Sequence, residues 1–158
     1  MEIKDSGERR EFETGAVRDI QEGKGRCDLI PLDILGDWNN DYFIKSLSCG
    51  KYGSLNYYLA IDIFVDRAFG RDRETAMLEL SKHYEEGARK YGEHNWEKGI
   101  PTHCYLDSAI RHYLKWKRGD NDEPHDRAVL WNLFGLLWTL ENKPELNDLP
   151  KGETNETK

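Results

Sequence analysis

"RAVLWNLFGLLWTL", residues 127–140, is apolar on nearly every side of a helix instead of along one stripe. A surface helix needs only one such stripe, and a small monomer rarely covers a helix on all sides. The segment is therefore expected at the centre of the molecule or shared with a second subunit. "DNDEPHD", residues 120–126, supplies its start, with Asp122 as the expected cap and Pro124 just inside, and the helix is expected to run to about Glu141.

Working outward, the neighbouring segments also have helical periodicity. Thr102 is placed to cap a helix with Leu106, Ala109, Ile110, Tyr113 and Leu114 on one side and Gly119 as its stop. Asp72 is placed to cap another, in which Ala76, Met77, Leu80, Tyr84, Ala88 and Tyr91 form the apolar stripe and Gly92 ends it. Ser54 is placed to cap a third, running through about Phe69 and stopped by Gly70, and a short helix is expected between Leu29 and Trp38, opened by Pro31. No segment alternates with period two for long. The expected class is all-α, with about five helices forming a bundle.

The 158 residues suit one domain. It is expected over 13–142, between a flexible N-terminus (1–12) and a disordered tail (143–158), both polar. The net charge of -7 opposes general attraction to nucleic acid or an anionic membrane. Cys27, Cys49 and Cys104 are odd in number and form no CxxC pair, which suits a reducing cytoplasm. The charged start "MEIKDSGERREFE" is unlike a signal peptide, and no apolar run approaches the roughly 18 residues of a membrane span. The chain is expected to be soluble and cytoplasmic.

Several site types fail on their residues. In "EGKG", residues 22–25, Gly follows the lysine where a P-loop has Ser or Thr, and Arg18 stands where its first glycine belongs. Neither HExxH nor GxSxG occurs. What remains are helical carboxylates: Glu85, Glu86, Asp107, and Asp120, Asp122, Glu123 and Asp126 around the start of the last helix. Carboxylates on facing helices can hold a hard divalent cation, although with 34% charged residues a helical Glu is most often solvated. Glu85 and Asp107 flank the apolar stripes and can point inward. Lys90 and Arg111 lie on the same helices, and Asp107 with Arg111 can equally be an ordinary i,i+4 ion pair. Asn95 and Trp96 fall in a loop, suited to contact a base or to cover the core; His125 and Asn132 share one face of the apolar helix, as ligands or as satisfied buried polar groups.

Three blocks, "TGAVRDIQEGKGRCDLIP" (14–31), "HYEEGARKYGEHNWEKGIP" (83–101) and "DSAIRHYLKWKRGDNDEPHDRAVLWN" (107–132), together resemble the phage and prophage dATP/dGTP diphosphohydrolases, a branch of the MazG-like all-α nucleotide pyrophosphohydrolases. Residues 39–72 look like an insertion relative to shorter members. The resemblance implies hydrolysis of a purine deoxynucleoside triphosphate to monophosphate and pyrophosphate with Mg2+ or Mn2+, in a homodimer or homotetramer. It implies Glu85 and Asp107 as catalytic metal ligands with Glu86 as a third. Lys90, Arg111 and His112 would face phosphates, as would Arg18, Lys24 and Arg26 of the glycine-spaced first block. Asn95 and Trp96 would lie near the base or sugar, and Asp28 near the base or a structural partner. The chain departs from the wider superfamily's EExxE and ExxD patterns: Arg89 follows where the third acid belongs, and the ExxD of "EPHD", 123–126, sits at a helix start. Two other readings are an HD-type phosphohydrolase, prompted by His112 and His125-Asp126, and a non-catalytic helical nucleotide-binding oligomer.

Overall fold

The computed structural model describes residues 1–48 and 53–149. Two short strands, β1 (Arg9–Glu11) and β2 (Val17–Asp19), pair antiparallel and precede six helices. These are α1 (Leu32–Asn39), α2 (Tyr42–Ser48), α3 (Ser54–Phe69), α4 (Arg73–Tyr91), α5 (Thr102–Arg118) and α6 (His125–Asn142). The class is all-α, as expected.

Helix α6 is buried because α3, α4 and α5 of the same chain pack around it. Leu130, Leu133 and Leu136 are fully enclosed, as are Ile110 and Tyr113 of α5. The α5–α6 crossing is close: a Cβ on Gly135 would stand 2.4 Å from the Tyr105 ring. Gly135→Ala should therefore overpack this contact and lower stability by about 1–3 kcal/mol in denaturant unfolding.

Differences from the expected elements have local causes. The N-terminal twelve residues, expected to fray, contribute β1, and the Ile3 N–H donates to Glu86. Three-residue strands are too short for an alternating pattern to register. Helix α2 is also additional, and Asp41 caps it through the Phe43 and Ile44 N–H groups at 3.0 and 3.3 Å. Asp72 does cap α4, accepting from the Thr75 N–H at 2.9 Å. Thr102 does not cap α5. Its hydroxyl donates to Asn147 and Asp148, and Asp148 accepts the His103 N–H, so 147–148 close that end. Asp122 does not cap α6 either, because its carboxylate is taken by the His125 ring and the Lys4 ammonium. Cys49, part of the 39–72 segment and the tail from 150 onward lie outside the described residues. Among the described residues no helix is long and apolar enough to cross a membrane.

Candidate functional site: a cationic cavity

The hairpin, the N-terminal segment and helices α4, α5 and α6 enclose a cavity of about 500 Å³, within the range of small-ligand sites. Seven lysines and arginines line it against three carboxylates, in a chain whose net charge is -7. Of these cations, Lys4, Lys24 and Arg111 are paired with acids, whereas Arg10, Arg18, Lys90 and Lys115 have no carboxylate within 4.0 Å among the described residues. The cavity therefore carries positive charge that the protein does not neutralise.

Arg18 is the clearest case. Strand β2 places it directly across from Arg10, a like-charge pair that costs stability in a sheet. Its Nη2 donates to Asn132 Oδ1 at 3.0 Å and Ser108 Oγ at 3.1 Å, and its guanidinium lies over the Trp131 and Tyr105 rings. Its Nη1 is buried without a partner, and burial pushes its pKa down from the ordinary arginine value. Arg10 Nε and His83 Nδ1, on two further lining residues, are buried without partners as well. Native interiors rarely leave such groups unsatisfied, which sets this part of the cavity lining apart from the rest of the core. A Cβ on Gly87 would meet nothing within 4 Å, so the α4 backbone is open on that side.

His83 is held neutral. Burial, with Arg127, Lys90 and Arg18 nearby, pulls its pKa down to about 3. Since the unfolded imidazole takes a proton at about pH 6.5 and the folded one resists it, stability present above pH 6.5 should be lost as pH falls from there towards 3. His112 is lowered in the same direction by burial and by His125. The unfolding free energy should drop between pH 7 and pH 5, by up to about 1.4 kcal/mol per pH unit per group, and less steeply in His83→Asn, as denaturant titrations at each pH would show.

Of the residues expected at the site, Arg18, Lys24, Lys90, Arg111 and His112 line the cavity. Arg26 and Asp28 do not; they bind each other at 2.7 and 2.8 Å. Asn95 is buried and brackets Val17, accepting from its N–H and donating to its carbonyl at 2.8 Å each. It fastens β2 instead of reaching a base. Trp96 packs edge-on against Trp138 and Tyr84, covering the core.

The expected metal set does not assemble. Glu85 faces solvent in an i,i+4 pair with Arg89, while Glu86 accepts from Arg127 and the Ile3 N–H. Asp107 is buried, and its carboxylate holds Arg111 and the Cys27 N–H. Arg111 in turn donates to the Lys24 and Gly25 carbonyls, so this pair clasps the glycine-spaced segment onto α5. Because an exposed i,i+4 pair contributes little, Glu85→Gln should leave stability within experimental error of the wild type in denaturant unfolding. Among the described residues, the acids and histidines whose ligand atoms converge within 4.8 Å are instead His112, Glu123 and His125, and Asp120, Asp122 and His125. Asp126 belongs to neither group and caps the Arg127 N–H, which removes the acid an HD-type site would use.

Sequence reasoning missed Arg10, Lys115, Lys4 and His83 as cavity residues. Asn132, a polar residue inside the apolar helix, was the one available signal, and it proves to orient Arg18.

Fold and cavity together describe a mostly helical protein with a pocket lined by seven lysines and arginines. Residues 73–149, from α4 through α6, match the family model described as "dATP/dGTP diphosphohydrolase, N-terminal". No curated protein and no solved structure matches the chain.

Proposed function

We propose that the protein hydrolyses dATP and dGTP between the α and β phosphates, releasing monophosphate and pyrophosphate with the help of a divalent cation. The observation that carries this reading is the unneutralised charge of Arg10, Arg18, Lys90 and Lys115 in a cavity of nucleotide size. A triphosphate is the common metabolite class with enough negative charge to match it, and the family's name supplies the base. Arg18, held by Ser108 and Asn132, would supply a fixed guanidinium as charge develops on a phosphoryl oxygen. Lys90 and Lys115 add ammonium groups to the lining, and Trp131 and Tyr91 are the aromatic lining residues a purine would meet.

A bound cation would neutralise phosphate oxygens and lower the pKa of a coordinated water. The converging histidines and carboxylates fit such a group, because His112 and Glu123 both line the cavity where the phosphates would lie. A homodimer or homotetramer in a cytoplasmic setting completes the proposal. Chromatography of the products from each dNTP and NTP, with Mg2+ and with Mn2+, tests it. Deoxyadenylate or deoxyguanylate with equimolar pyrophosphate is expected. Binding without turnover would favour a non-catalytic nucleotide-binding role, and release of inorganic phosphate or triphosphate would contradict the assigned bond.

A further inference from the structure

We infer that His112, His125 and Glu123 form a cation site selective for a transition ion of the Mn2+ or Co2+ type over Mg2+, with Asp122 orienting His125. The ring nitrogens decide the arrangement. His125 is buried, its Nε2 lies 2.7 Å from Asp122 Oδ1, and its Nδ1 lies 2.9 Å from His112 Nδ1. A carboxylate only accepts, so Asp122 fixes the proton of His125 on Nε2 and leaves Nδ1 as a lone pair aimed at His112. This is the carboxylate–histidine arrangement that orients metal-ligating imidazoles.

The same geometry chooses between the two converging groups. His125 can offer Nδ1 to a cation while Nε2 stays with Asp122, but it cannot offer Nε2 without breaking that bond. Asp122 and Asp120 are moreover already neutralised by Lys4 and Arg118. Glu123 uses one oxygen, Oε1, to accept the Lys4 N–H at 2.9 Å; its other oxygen takes no hydrogen bond among the described residues. Two nitrogens bound at about 2.1 Å in adjacent octahedral positions stand about 3 Å apart, close to the observed separation. The 2.9 Å Nδ1–Nδ1 contact needs one ring to donate to the other; with a cation bound, both Nδ1 atoms would face it and each ring would carry its proton on Nε2. Two imidazoles and one carboxylate suit first-row transition ions, whereas Mg2+ demands oxygen ligands.

The inference deepens the proposed function by naming the cation site beside the phosphates, and its test needs no nucleotide. Wild-type protein is titrated calorimetrically with Mn2+, Co2+ and Mg2+, and the visible absorption of bound Co2+ is recorded as a signature of nitrogen ligation. One Mn2+ per chain is expected, with Mg2+ at least tenfold weaker. His112→Gln and Glu123→Gln should each weaken Mn2+ at least tenfold, and His112→Gln should alter the Co2+ spectrum. Asp122→Asn should weaken Mn2+ about tenfold through His125. Glu85→Gln should bind as the wild type does. Equal affinity for Mg2+ and Mn2+, or undiminished Mn2+ binding by His112→Gln and Glu123→Gln, overturns the site. If Mn2+ binds as expected but no dNTP is cleaved, the catalytic reading fails and the site stands; if dNTPs are cleaved while His112→Gln retains Mn2+, the reverse holds.

Discussion

Arg18→Met should reduce dATP turnover by about 10²–10³-fold, the usual loss when one preorganised donor to a developing anion is removed. It should raise the nucleotide Kd as well, since Arg18 lines the cavity and has no carboxylate partner among the described residues. The protein should nevertheless keep its stability. A buried charge with no acidic partner is a net cost of desolvation, and an apolar side chain of similar length removes that cost. Against this, Ser108 and Asn132 each lose a hydrogen bond of about 1 kcal/mol. The two effects offset, so the Tm should stay within a few degrees. Arg18→Lys keeps the charge but loses the fork that reaches Asn132, Ser108 and the ligand together, and should recover only part of the turnover. Steady-state kinetics with calorimetric binding checks all of this. A large fall in Tm without a change in Kd would mean that Arg18 serves the fold alone.

Asp107→Ala should show the opposite balance. Its carboxylate satisfies the Arg111 guanidinium and the Cys27 N–H, both partly buried. Removing it leaves a sequestered cation and a backbone donor unpaired, a loss of about 3–5 kcal/mol. For a chain of this size the Tm should fall by on the order of 10 °C. The segment from Lys24 to Leu29 should also detach from α5, because Arg111 holds its carbonyls and the Cys27–Leu29 turn rests there. Amide exchange should accelerate locally at 24–29 before it does in α6. If Asp107 were instead a metal ligand, the variant would lose cation binding while the 24–29 amides stayed protected.

The helices were legible because their signals are local. Glycines at 70, 92 and 119, the Asp72 cap and the apolar stripes each act within a turn or two, and α3, α4 and α5 stand where those signals put them. The all-round apolarity of α6 left two explanations open, and only the packing of α3, α4 and α5 around it shows that one chain supplies the cover. The closures of α5 and α6 were not legible. Asp148 reaches Thr102 and His103 across more than forty residues, and Lys4 takes Asp122 from more than a hundred residues away.

The site divides in the same way. The glycine-spaced cations at Arg18 and Lys24 announced an anion, but helical spacing alone could not say that Glu85 turns to Arg89 or that Asp107 faces Arg111. Those choices depend on which opposite charge each carboxylate meets. Arg10 and Lys4 escaped notice because they belong to a segment whose polar composition reads as a frayed end, and the hairpin that orders it is fastened by Asn95, far along the chain.

The central claim is that a purine deoxynucleoside triphosphate occupies the cavity with its phosphates on the unpaired cations. The direct measurement is a crystal structure with a dATP analogue whose α–β bridging oxygen is replaced by an imido group. The account predicts phosphate oxygens within hydrogen-bond reach of the Arg18 guanidinium and Lys90, and the purine against the Trp131 or Tyr91 ring. An analogue bound elsewhere, for example in the second hollow beside Asp41, Arg67 and Lys117, with the Arg18 cavity filled only by water, would contradict it.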